Sequence, residues 1–222
     1  MGLCSGKKGT GNVKNYTILK KTFITTLLVA FSLFQSFGQI SFGVKAGLNF
    51  SDVKNVGSPE NKPRLGFNGG FLTEIDISKK FIVQPEILYS IKGNKFPPTA
   101  FNGGGTLSLN YISIPLLGGF RPNDKFTILL GPEFSFLTNA NSKFDGSNHD
   151  ISKNFRKFDL AIDLGATYSI KKDFGVELRY SYGFEDLADV ILADQLGNEI
   201  GKDRIGSNRV FQLGLFYKFS KR

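Results

Sequence analysis

Eight stretches in which apolar and polar residues alternate follow one another after residue 39, and their joining segments are alternately long and short. Side chains along a strand point to opposite faces with period two, so each stretch has one oily and one wet side. The last, Gln212 to Phe219, puts Leu213, Leu215, Tyr217 and Phe219 on one face and Gln212, Gly214 and Lys218 on the other, with Phe216 the exception. A soluble sheet alternates in the same way. Eight repeats behind a secretion signal point instead to a membrane.

The signal lies in residues 20–39. Lys20-Lys21 precede a short apolar run, Thr22 to Phe34, and Ser36-Phe37-Gly38 places small residues three and one before a cut at Gln39. That is the three-part layout of a secretory signal peptide. Residues 1–38 are therefore read as a leader with its apolar core at about 22–35, residues 1–19 being a polar, basic extension, and 39–222 as one domain. The leader changes what the charge means. It carries five of the 28 basic residues and no acid, so the remainder holds 23 basic against 19 acidic residues, net +4 instead of +9. More than half of the excess that would invite nucleic-acid binding belongs to the leader, and nucleic acid is not an expected partner. The single cysteine, Cys4, also lies there, so the mature chain has no thiol for disulfides, nucleophilic catalysis or metal binding.

The strands are placed at about 40–51, 65–77, 81–92, 106–120, 126–137, 157–170, 174–185 and 208–220. The fourth is apolar on both faces and its phase is ambiguous. Pro85, Pro115 and Pro132 count against regularity in three strands, because proline cannot donate to the ladder. Long connections cover about 52–64, 93–105, 138–156 and 186–207, and short ones are Ser78–Lys80, Arg121–Lys125 and Lys171–Asp173. Eight antiparallel strands with short turns at one end and four long loops at the other describe an outer-membrane barrel, with both mature termini on the periplasmic side. Closure is obligatory, since lipid offers no partner to an open sheet edge. Eight strands enclose a lumen just filled by side chains. The expected inward residues Lys45, Glu74, Glu86, Lys92, Glu133, Asp159, Asp163, Glu177, Arg179 and Lys218 carry both signs and leave little room for a channel.

Three segments bear on fold identity: Phe42–Asn49 (FGVKAGLN), Phe81–Ser90 (FIVQPEILYS) and Leu109–Leu117 (LNYISIPLL), with Gly131-Pro132-Glu133 opening the middle of strand five. With these the chain resembles the PorT-like outer-membrane β-barrel proteins of Gram-negative bacteria over roughly 39–222. The resemblance implies location and fold more than activity, and an association of founding members with protein secretion. Gly214, Tyr217 and Phe219 are similar to the C-terminal signal read by the outer-membrane assembly machinery, with Ser220-Lys221-Arg222 trailing beyond it. Outer-membrane lipid, that machinery, and envelope or secretion proteins at the outer loops are the expected partners.

No catalytic, cofactor or metal residue is assigned. His149, the one histidine, is read as a solvated loop residue; a hydrolase would need it beside a Ser or Asp. Asp159 and Asp163 share a face but stand about 13 Å apart at 3.3 Å per residue, so they cannot share a proton, and pairing with Lys or Arg of neighbouring strands is expected. Asp186, Asp189 and Asp194 lack the spacing of a calcium loop, and Gly103-Gly104-Gly105 lacks the strand–helix setting of a phosphate loop and reads as a flexible tip beside Pro97-Pro98. The sequence thus leads to a non-enzymatic structural or interaction barrel of the envelope or of a secretion system; a small-solute pore is the alternative, and a lipid-modifying barrel enzyme ranks below it.

Overall fold

The computed structural model describes residues 40–55, 62–98, 104–144, 147–193 and 199–219. Residues 1–39, where the leader is expected, the last three residues, Gly103 and Asp194 lie outside the described residues. Ten strands follow in chain order: β1 (Ile40–Asn55), β2 (Lys62–Asp76), β3 (Phe81–Phe96), β4 (Gly105–Asn123), β5 (Phe126–Phe144), β6 (Ser147–Asp150), β7 (Phe158–Ser169), β8 (Phe174–Gly183), β9 (Ala188–Ala193) and β10 (Glu199–Phe219). Eight of them, β1, β2, β3, β4, β5, β7, β8 and β10, pair in sequence order as an antiparallel sheet. The sheet closes where β1 meets β10, from Phe42 opposite Phe219 to Val53 opposite Asn208. This is the expected eight-stranded closed barrel.

Turn chemistry explains the tight end. Ser78 Oγ accepts the amides of Lys80 (3.3 Å) and Phe81 (3.1 Å), and Asn123 Oδ1 accepts those of Lys125 and Phe126, both at 3.0 Å. Such side chains take over turn amides that the ladder cannot satisfy. The other end departs from the expected long loops. β3 and β4 stay paired out to Phe96 opposite Gly105, and β5 runs on to Phe144 before returning as β6. At the fourth connection β9 pairs with the start of β10. Gly105 already belongs to β4, and Gly104 before it sits at φ 82°, a conformation glycine adopts without strain. These extensions escape a reading by hydrophobic pattern because, beyond the lipid, both faces of a strand can be polar while the backbone ladder continues.

The prolines cost less regularity than expected. The ladders skip Glu86-Ile87 on β3 and Leu116-Leu117 on β4, close to Pro115 and Pro132, then resume in the same register. Register shifts lie elsewhere, among them those at Pro63/Asn68 in the β2–β3 pairing and at Asn110/Tyr111 in the β4–β5 pairing.

The outward face is apolar and open. Phe42, Phe71, Ile87, Leu164 and Leu215 are all more than half exposed, Phe71 by 68%. A continuous patch of this kind would aggregate in water and suits hydrocarbon. Aromatic pairs mark its two borders: Phe81–Phe120 (ring centroids 5.4 Å) and Tyr217–Phe219 (5.6 Å) near the tight turns, Phe67–Tyr89 (6.2 Å) and Tyr182–Phe184 (5.7 Å) toward the other end. From Phe81 to Ile91 a strand advances about 33 Å, which a 35–45° tilt reduces to about the 25 Å of an outer-membrane apolar band. Among the described residues no helix is long and apolar enough to cross a membrane.

Candidate functional site

The barrel lumen holds most of the chemistry, in three successive layers. Its tight-turn mouth is a polar cavity of about 390 Å³ lined by Glu74, Asp76, Arg121, Lys125, Asp173 and Lys218 among others. Arg121 bridges Glu74 (2.8 Å) and Asp76 (3.0 Å), and Lys218 Nζ reaches both Glu74 oxygens at 3.1 and 3.2 Å. Arg121 was expected in a turn. It belongs to the end of β4, which runs three residues past the end that its apolar alternation indicates. Phe216, the exception to the oily-side pattern, points inward beneath Lys218 Nζ, 5.6 Å from its ring centre, and covers Gly175 directly opposite on β8.

The middle layer is a buried ion network. Arg179 meets Glu86 through two hydrogen bonds, at 2.6 and 3.1 Å, and also reaches Asp163 (3.3 Å) and Glu177 (2.9 Å). Lys45 lies 2.5 Å from Glu177 and 3.4 Å from Glu86, whose carboxylate also accepts the Gln84 amide at 2.7 Å. A second centre forms one step outward: Lys92 to Glu133 at 2.6 Å, with Ser135 donating to the same oxygen at 2.9 Å and the Tyr111 ring 5.1 Å from Lys92 Nζ. Nine of the ten expected lumen residues are buried, and Lys218 is partly so. The Asp pair divides. Asp163 takes Arg179 as expected, whereas Asp159 accepts an amide, Asn208 Nδ2 at 2.8 Å. Charges taken this far from water are tolerable only when paired with good geometry, and the bidentate Arg179–Glu86 contact is the strong form of such pairing.

The outer layer is dry. Val53, Leu107, Leu109, Tyr111, Leu137 and Ala140 point inward from β1, β4 and β5, and Phe155, Leu187 and Ala188 pack among them. Phe155 arrives on the segment after β6, which is tied down by Ile151 N donating to Ala140 O (2.9 Å), Arg156 N to Leu187 O (2.8 Å) and Leu137 N to Lys157 O (2.8 Å). This plug was not anticipated. Its signal was present in β4, whose two apolar faces left its phase ambiguous: one face meets lipid (Ile112, Leu116, Phe120) and the other lines the plug.

His149 lies on β6, exposed and directly opposite Ser142 of β5. Its imidazole makes no hydrogen bond among the described residues, and the adjacent Asp150 is already engaged. Asp150 accepts Ser152 Oγ at 2.5 Å and Ser152 N at 2.9 Å, which holds its carboxyl below the usual carboxylate range. The acidic residues of the fourth long connection are only partly described: Asp186 is half-buried, only the backbone of Asp189 is described, and Asp194 falls outside. Among the described residues no group of three or more His, Cys, Asp or Glu is placed to hold a metal ion.

A family model described as an outer membrane protein beta-barrel domain matches residues 33–189. Solved structures with a similar course include neisserial surface protein A (12% identical, TM-score 0.51) and the attachment invasion locus protein Ail of Yersinia pestis (18%, 0.49), each covering 82% of this chain and 100% of its own. OprG of Pseudomonas aeruginosa is 16% identical with a TM-score of 0.44, over 82% of this chain and 95% of that one. At these identities the likeness is one of fold. No curated protein matches.

Proposed function

Because this chain belongs to the outer membrane protein beta-barrel family, we propose that it works as a PorT-like anchoring and docking component of the Gram-negative envelope or of a protein secretion system, not as a conduit. The observation that carries this reading is the double closure of the lumen, by the Arg179–Glu86 ion network in the middle and by the Leu109–Phe155 plug above it. With its interior filled, the barrel has its lipid-facing band and its projecting outer strands left to work with. The tight-turn end, which holds both Ile40 and Phe219, is periplasmic in this reading, and the extended strands project outward to meet a partner. The segments Phe42–Asn49, Phe81–Ser90 and Leu109–Leu117 support the PorT likeness.

Crosslinking in intact envelopes from residues of the β5–β6 hairpin, followed by identification of the captured protein, tests the docking role. A defined envelope or secretion protein is expected. Recovery of lipid alone from every position would remove the role. Planar-bilayer recording of the refolded protein tests the competing pore: the expected trace shows no steady conductance, and a stable open level would reverse the ranking. The enzyme reading turns on His149, and His149→Ala is expected to leave any hydrolysis of phospholipid by the purified protein at its background level.

A further inference from the structure

Beyond the apolar band, the outward face of the strand extensions carries lysines in one cross-strand row. Lys62 of β2 stands directly opposite Lys95 of β3, Lys95 opposite Thr106 of β4, Thr106 opposite Lys143 of β5, and Lys143 opposite Asn148 of β6. Directly opposed residues share a face with their Cβ atoms about 4.5–5.5 Å apart, and like charges so placed repel. All three lysines are exposed, none has an ion pair among the described residues, and no acid stands in the row. The nearest acid, Asp150, is opposite Asn141 one outward step nearer the membrane and is held by Ser152.

The place of the row indicates what neutralises it. On β4 the outward positions read Ile112, Asn110, Ser108, Thr106, passing from hydrocarbon contact through amide and hydroxyl to the lysine level. Six residues take the strand about 20 Å past Ile112, or about 15 Å in height at barrel tilt. That is the head-group layer and not the hydrocarbon. From β2 to β5 the row spans three strand spacings, about 14 Å. Lysine serves phosphate as a compact point charge with three donors, and hydroxyl and amide side chains just beneath suit sugar.

We infer that Lys62, Lys95 and Lys143 form a binding row for the phosphate groups of the glycolipid in the leaflet at the long-connection end. The inference rests on the proposed orientation, with that end outermost. The test uses the refolded chain in phosphatidylcholine nanodiscs containing either a bisphosphorylated acylated glucosamine disaccharide or its dephosphorylated counterpart, with retained lipid counted by native mass spectrometry. At about 1 kcal/mol per basic residue near an anionic surface, the phosphorylated lipid should be preferred tenfold or more, on the order of what three lysines can supply. Lys62→Gln/Lys95→Gln/Lys143→Gln should abolish the preference. Replacing the same three lysines by arginine should keep it, as should Lys79→Gln/Lys80→Gln/Lys125→Gln at the tight-turn end. A wild-type protein without preference, a preference that survives the triple glutamine change, or equal competition by inorganic phosphate at the lipid's own concentration overturns the inference. Orientation is read separately, by labelling Ser147→Cys in a Cys4→Ser background with a membrane-impermeant maleimide on intact cells. Labelling without lipid preference sinks the lysine row alone, and absence of labelling sinks the orientation beneath it.

Discussion

Along the lumen wall the means of closure changes within a few residues. Around Arg179, three carboxylates converge on one guanidinium, all of them buried; around Leu109, the wall is hydrocarbon and a phenylalanine from a connecting segment completes it. The first closure is specific and brittle, because each charge depends on a directional contact with a particular partner. The second is tolerant, because apolar contacts are non-directional and a lost methyl group is partly made up by relaxation. A barrel lumen can thus be filled by two routes, and the two should fail differently.

The largest expected effect comes from Arg179→Met. It leaves Glu86, Asp163 and Glu177 without their shared cation and should cost about 3–5 kcal/mol, the penalty of breaking a buried pair, in urea unfolding of the bilayer-reconstituted barrel. A loss below about 1 kcal/mol would mean that water screens the network, and the contrast between the layers would collapse. Leu109→Ala should cost about 2–5 kcal/mol through the cavity it leaves while the protein stays non-conducting, since the ion network still blocks the passage; appearance of conductance would make the plug the sole seal. Gly175→Ala probes the tight-turn third. A Cβ there meets the Tyr168 carbonyl oxygen as well as the Phe216 ring, the latter at 2.5 Å; overpacking of this kind costs about 1–3 kcal/mol, and Phe216→Leu should restore only the part that the ring contributes.

The smallest effect belongs to the turn that carries Phe155 into the plug. The Asp150 carboxyl sits below its ordinary range because it accepts from the Ser152 side chain and amide, so its contribution is complete above the usual carboxylate range and fades as pH falls through the lowered folded value. Hydrogen exchange at the Ser152 amide should therefore quicken, relative to its intrinsic rate, only below about pH 4. Asp150→Asn should show weaker protection at neutral pH and no such acid step.

What the sequence disclosed follows the same division. Period-two alternation placed Lys45, Glu86, Lys92, Glu133, Asp163 and Arg179 inside the barrel, because lipid on the outer face forces a strict pattern. The partners were not legible: Lys45 finds Glu177 across 132 residues and Arg179 finds Glu86 across 93, and alternation says nothing about which strand lies across a lumen. Leu107, Leu109 and Tyr111 were visible as apolar but could not be told from lipid-facing residues, since a dry plug and a bilayer demand the same side chains. The extensions of β2, β3 and β5, with their lysine row, were hidden for the opposite reason: no regular apolar phase remains there to announce a strand.

The seam between β1 and β10 has a kinetic consequence. Phe42 pairs with Phe219, so the first strand of the barrel waits for the last one before its outer edge is satisfied. Contacts of such long sequence separation form slowly. Until they form, two hydrogen-bonding edges remain open to other chains, flanked by a phenylalanine-rich face. A chain of this design is at its most aggregation-prone until the first and last strands of the barrel meet, and variants that delay that meeting should be lost to aggregation before any fault in the finished barrel could be felt.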